Sequence, residues 1–243
     1  DLNGGAVKAA CRILRERLEA FCRTQAGAKG FPDWEHDWAG SWAKVVALAC
    51  TARIDLSAEA LFDSPNLGEL DPKTGQLADG TQLFYYFTYC VAVSEVEIDV
   101  LTGESEVLRA DLVYDSGRSL DSVLDFGQIE GGFIQGLGNV TTEEVYLGAD
   151  GRFIPDGTWN YKPPFSQTVP IEFNVAQLQY VRNDHRTDTP MDHYGIQSSK
   201  STGEPPLVLA NSVYFAIRHA VAAARADRGQ TDWFELDSPA TVE

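Results

Sequence analysis

Apolar positions along this chain repeat with two different periods, and the change of period marks its organisation. Over residues 6–22, Val7, Cys11, Leu14, Leu18 and Phe21 recur at helical spacing while Arg12, Arg15, Glu16, Arg17 and Glu19 fall opposite them, which predicts an amphipathic helix. A glycine-containing stretch, Ala26 to Pro32, ends it. A second helix is expected over residues 38–52, with Trp38, Trp42, Val45, Val46 and Ala49 on one side. Residues 63–82 are rich in Pro, Gly, Asp and Thr and read as a long irregular loop.

From residue 84 the period shortens to two. Phe84 to Tyr89 and then Ala92, Ser94, Val96, Ile98 and Val100 predict a strand, turned at Leu101-Thr102-Gly103-Glu104 and answered by a partner over 106–114. Glu143–Leu147 and Arg152–Ile154 flank Ala149-Asp150-Gly151 as a second hairpin, and Pro170–Leu178 reads as a further strand. Between them lie a helix from Gly127 to about Gly138 and another from Pro205-Pro206 to about Ala226. The expected class is α+β, with mixed, mostly antiparallel sheets and inserted helices. A helical and loop part over 1–82 precedes an α+β part over 83–243, within one domain.

Composition narrows the function. A chain of 243 residues with 44% hydrophobic content buries a proper core. A net charge of −17 argues against nucleic acid, whose phosphates require clustered Lys and Arg. No uninterrupted apolar run of about 18 residues occurs, so no membrane partner is expected. Of the four cysteines, Cys11 and Cys22 lie about 16 Å apart on one predicted helix, too far to bridge, and there is no Cys-x-x-Cys. Reduced thiols and a cytoplasmic location follow as expectations, with neither an iron–sulfur cluster nor a zinc knuckle in these residues. Neither end carries a punctuating signal, and the sequence reads as a piece of a longer protein.

Two constellations carry candidate chemistry. Residues 127–138 place five glycines in twelve positions, each costing about 1 kcal/mol in a helix relative to Ala. Such a run requires either close backbone packing or a ligand lying against the helix start, and packing is the favoured reading of the segment alone. Gln128 and Gln135 offer neutral donors and acceptors suited to an anionic, heteroatom-rich ligand. A dinucleotide fingerprint fails on spacing, and no parallel βαβ unit is expected around it. The second constellation is Ser198-Ser199-Lys200-Ser201-Thr202-Gly203-Glu204-Pro205-Pro206. Glu204 reads either as a helix-start carboxylate, the favoured reading without further information, or as a general base held by two prolines at a pocket mouth. His185 and His193, among Asp184, Asp188 and Asp192, read as a solvated loop rather than a metal site. His36 and His219 have no partner at ligand spacing, and no metal ligands are assigned.

Taken in order, Gly127-Gln128-Ile129-Glu130-Gly131, Gln135-Gly136-Leu137-Gly138, Thr142-Glu143-Glu144, Tyr161-Lys162, Pro170-Ile171-Glu172-Phe173, Ser199-Lys200 and Gly203-Glu204-Pro205-Pro206 resemble one family. They are similar to the C-terminal part of the molybdopterin-binding region of the molybdenum hydroxylases of the xanthine dehydrogenase kind. Leu236-Asp237-Ser238-Pro239-Ala240-Thr241 is similar to that family's tail. Thr202, Pro163 and Cys90 depart from its usual residues. The resemblance implies Glu204 as general base, Gln128 as a contact to the pyranopterin, and Gly127 and Gly203 as companions in the same motifs. It implies purine hydroxylation, hypoxanthine to xanthine to urate, with water as the oxygen source, in a homodimeric parent. Molybdopterin with molybdenum would be shared with upstream segments, and iron–sulfur clusters and FAD would lie in other domains or subunits. Aldehyde oxidase is the alternative within the same chemistry, to which Glu-Pro-Pro is less suited. A non-catalytic module binding cofactor or another subunit is the alternative outside it.

Overall fold

A computed structural model describes residues 2–25, 27–178 and 195–242. The chain divides into two compact units, Asp1–Tyr85 and Tyr86–Glu243.

The first unit is a helical pair, α1 (Leu2–Thr24) and α2 (Trp38–Thr51), followed by irregular chain through the predicted loop. Asp37 caps α2 by accepting from the Gly40 amide, which satisfies one of the donors left open at a helix start. Leu18, Phe21 and Cys22 of α1 meet Val45 and Ala49 of α2, with Phe31, Trp34 and Trp38 at the margin. Only the C-terminal part of the α1 stripe behaves as its pattern predicts. Val7 and Cys11 stay exposed, because 14 residues of α2 cannot cover 23 residues of α1 at the same rise per residue. All four cysteines are unpaired, and burial raises the thiol pKa of Cys22 and Cys90.

The second unit holds a three-stranded sheet ordered β1 (Cys90–Ile98), β2 (Ser105–Tyr114), β3 (Glu172–Gln177), with α3 (Ser122–Thr141) running between β2 and β3. Helices α4 (Pro205–Leu209) and α5 (Asn211–Ala226) complete it. The inward residues are Ala110, Leu112 and Tyr114 from β2, Ile129, Phe133 and Leu137 from α3, and Val213 and Ile217 from α5. Phe133 reaches Phe173 of β3 at 5.2 Å between ring centres. A bulge in β2 shifts the register after Glu95, which pairs with Arg109, while Val96 pairs with Val107. The extra residue explains how Val107 and Ala110, three apart, both face the core.

The α+β class stands, and four expectations within it are corrected. Residues 84–89 are not strand, since the ladder begins only at Cys90. The segment 143–154 forms one isolated bridge, Leu147 to Phe153, instead of a hairpin of strands. β3 runs parallel to β2, held by Asn174 donating to Asp111 at 2.8 Å and by the Leu178 amide donating to Tyr114. The glycine-rich helix therefore does sit inside a parallel β-α-β unit. Finally, the C-terminal helix breaks at Ala210 into α4 and α5. By length and composition alone its 22 residues, Pro205–Ala226, would cross a membrane, but its inner face supplies Ala210, Val213 and Ile217 to the core.

Candidate functional site

Helix α3 starts five residues earlier than its glycines suggest, because Asp121 caps it by accepting from the Val123 and Leu124 amides. Gly127 and Gln128 therefore lie inside the helix rather than at its start, and any ligand they meet would lie along its side. A dinucleotide reading still fails, since that motif needs its glycines in the turn before the helix.

The five glycines separate into two sets. A Cβ on Gly132 would stand 2.3 Å from the Gly203 carbonyl oxygen, and one on Gly136 would stand 2.3 Å from that of Leu207. These glycines let the backbones of α3 and the α4 segment touch. Gly138 makes room for Glu143 and Pro164, and Glu143 accepts a short hydrogen bond from Tyr161, whose phenol pKa that bond raises. Gly127 and Gly131 differ: a Cβ on either would meet nothing within 4 Å among the described residues. One turn apart, they form a bare strip on the exposed side of α3, beside Gln128 and the exposed Leu124.

The α4 approach closes onto that strip. A Cβ on Gly203 would stand 3.0 Å from Gln128 Oε1, so the glutamine amide lies over Gly203, next to Glu204. Glu204 is exposed at the head of α4 and makes no capping hydrogen bond. The two following prolines have no amide hydrogens, and the Leu207 amide is taken by the Glu204 carbonyl. The local backbone offers the carboxylate no donor, which counts against a capping role. The four nominated residues, Gly127, Gln128, Gly203 and Glu204, thus gather at one junction.

Four neighbours complete the junction, and of these only Lys200 stood in the sequence motifs, where its spacing implied neither a pairing nor a role of its own. Lys200 Nζ and Asp115 Oδ2 form an ion pair at 2.6 Å, with side chains only 3% and 1% exposed. Losing one partner of such a pair costs about 3–5 kcal/mol, because the other charge stays buried. Tyr114 donates from its phenol to the Ser201 carbonyl at 2.7 Å, and Tyr86 accepts from the Ser201 amide at 3.0 Å. Burial pushes the Tyr114 phenol well above its ordinary pKa, which keeps it a donor. Nothing local connects Asp115 to Lys200, 85 residues apart, and the tyrosines read as ordinary strand residues.

Among the weaker candidates, His36 pairs with Asp33 at 2.8 Å on an exposed loop. His185, His193, Asp184, Asp188 and Asp192 lie outside the described residues. Among the described residues no group of three or more His, Cys, Asp or Glu side chains gathers.

Comparison with known proteins bears on the family and the fold. The profile of the molybdopterin cofactor-binding domain matches residues 1–170. Xanthine dehydrogenase/oxidase of Mus musculus is 41% identical over 247 residues, covering all of this chain and 16% of the mouse protein. Probable aldehyde oxidase 3 of Oryza sativa subsp. japonica is 39% identical over 241 residues, covering 98% of this chain and 15% of the rice protein. Among solved structures, aldehyde oxidoreductase from Desulfovibrio gigas matches with a TM-score of 0.55 at 22% identity, over 72% of this chain and 17% of that one, and supports the fold.

The chain belongs to the molybdopterin cofactor-binding domain family, in the form found in the molybdenum hydroxylases. The cofactor that this family binds is molybdopterin. The chain spans about one sixth of the length of these curated relatives.

Proposed function

We propose that this chain works within a molybdenum hydroxylase of the xanthine dehydrogenase type, which hydroxylates purines, hypoxanthine to xanthine to urate, with water as the oxygen source. The observation that carries the reading is the junction itself: a bare glycine strip, a neutral amide and an uncapped carboxylate on adjacent backbones.

The cofactor fits that junction, because the strip at Gly127 and Gly131 is a surface that any side chain would fill. When bound, the cofactor supplies oxygen transfer and takes up the electron pair leaving the substrate. The chain's own residues do the rest. Gln128 offers amide donors and an acceptor to the pterin heteroatoms without adding charge. Gly127 and Gly203 keep the approach clear. Glu204 accepts the proton released as oxygen is added to an electron-poor carbon, which a carboxylate does and an amide does not. Pro205 and Pro206 leave that carboxylate for chemistry by withholding amide donors.

Upstream segments of the parent would share the cofactor, and iron–sulfur clusters and FAD would sit in other domains or subunits. The parent is read as a cytoplasmic homodimer. A cofactor gripped by several segments loses most of its affinity when one stands alone, so the isolated chain should fold cooperatively yet hold no molybdenum. Stoichiometric metal in it would refute that.

The test is Glu204→Gln in the complete enzyme. Normal folding, full molybdenum and turnover reduced by at least ~10²-fold support the base. Full turnover with full metal defeats it. An aldehyde oxidase reading is favoured by the likeness to the rice protein, and kcat/KM for xanthine against an aromatic aldehyde decides between the two.

A further inference from the structure

The loop that delivers Glu204 is held far more firmly than an exposed connection needs. Ser198 has φ +66° and Gln197 has φ +53°, conformations that side chains disfavour, and Gly117 faces them at φ +64°. The Lys200 amide donates to Ser116, the Arg118 amide donates to Ser198, and Gly117 bridges Ser199. A Cβ on Gly117 would stand 2.2 Å from the Ser198 carbonyl oxygen, so the two turns touch backbone to backbone. Tyr114 and Tyr86 hold the two backbone polar groups of Ser201, and Thr202 is buried.

Under these contacts lies the Asp115–Lys200 pair. Asp115 Oδ1 accepts from the Gly117 amide, which sets the turn after β2, while Oδ2 accepts from Lys200 at 2.6 Å. The Lys200 ammonium also lies 5.5 Å from the centre of the Tyr89 ring. A well-packed apolar pair of the same volume would often hold a fold equally well, so stability alone gives little reason for a buried ion pair. What the pair adds is direction. It ties one side chain of the Glu204 loop to one position at the end of β2, so that a slipped loop would break a 2.6 Å contact between two buried charges.

We propose that Asp115 and Lys200 are a positioning pair for Glu204, fixing the register of the Ser198–Gly203 loop so that the carboxylate stands at one place beside Gln128. The inference rests on the reading of Glu204 as base. Neither residue touches the reacting atoms; both act through the backbone between Lys200 and Glu204. A misplacement of about 1 Å at a reacting group costs up to ~10²-fold in rate.

The test uses the complete molybdenum-loaded enzyme carrying Asp115→Leu with Lys200→Met, which keeps the site filled while removing both charges. Expected are a near-normal thermal midpoint, kcat per molybdenum lower by ~10–100-fold, and KM within about threefold. Hydrogen exchange should quicken at the amides of residues 118 and 200 while α3 stays protected. Asp115→Asn, which keeps the shape but leaves the buried Lys200 ammonium without its counter-charge, should lower the thermal midpoint and give a loss of kcat per molybdenum of the same kind. Unchanged kcat per molybdenum in either variant overturns the proposal, and so does activity lost only in step with metal content. In a Glu204→Gln background the double replacement should cost nothing further, and an equal loss in both backgrounds overturns the positioning role. A fully active Glu204→Gln enzyme overturns the base reading and the positioning claim together. A slow Glu204→Gln enzyme beside a fully active Asp115→Leu/Lys200→Met enzyme overturns the positioning claim alone.

Discussion

The two ends of helix α3 carry the same residue for opposite reasons. Toward its C-terminal end, Gly132 and Gly136 are small because the carbonyls of Gly203 and Leu207 press against them. Toward its N-terminal end, Gly127 and Gly131 have no such neighbour among the described residues, yet they carry the same helix penalty. Packing among the described residues accounts for the first set and not for the second. On the function proposed above, glycines that cost helix stability and meet nothing among the described residues mark a surface kept clear for a ligand. On that reading the difference would tie the folding of this unit to its cofactor, because one helix is closed against α4 on one stretch and open beside Gln128 on the next.

Substitutions break the comparison in opposite directions. Gly136→Ala pushes a methyl into the Leu207 carbonyl and the Ala210 side chain, neither of which can rotate away. It should destabilise the chain by about 1–3 kcal/mol, seen as a lower thermal midpoint. Gly132→Ala should behave alike, and an unchanged midpoint in both would contradict the packing account. At the open end, Gly127→Ala should raise stability by about 0.5–1 kcal/mol, since it removes the helix penalty and meets no neighbour. A loss of stability there would mean that the surface is already covered by this chain.

How far the sequence carries can be judged at the same helix. The run from Gly127 to Gly138 was legible as unusual, and of the two explanations packing holds for Gly132, Gly136 and Gly138, while Gly127 and Gly131 meet nothing among the described residues. Its true start was hidden, because Asp121 capping Val123 and Leu124 is a weaker signal than a cluster of glycines. The strand over 106–114 was readable from alternation, but its bulge was not, since one added residue looks like ordinary variation in pattern. The parallel pairing of β3 was missed for a related reason. Hairpin turns are written locally, whereas a crossover is decided by where α3 packs. Gln128, Gly203 and Glu204 were nominated by family resemblance, and the structure brings them together. The pairing of Asp115 with Lys200 could be found only in three dimensions.

A smaller effect checks the sheet that supports α3. Asp111 is held below the ordinary carboxylate range by hydrogen bonds from Arg109 and then Asn174. A carboxyl depressed on folding contributes stability that is complete above its unfolded value, 3.8, and is lost as pH falls through the lower folded value. Asp111→Asn should therefore flatten the decline in stability below about pH 4, with little change near neutrality. An unaltered acid limb in urea unfolding would contradict that role.

The most direct measurement of the central claim is the molybdenum and pterin content of a complete enzyme carrying Gly127→Leu. A Cβ at position 127 meets nothing within 4 Å among the described residues, so folding and thermal midpoint should be retained while most of the cofactor is lost. Full molybdenum and pterin in a folded Gly127→Leu enzyme would contradict the account, because the strip would then face no cofactor.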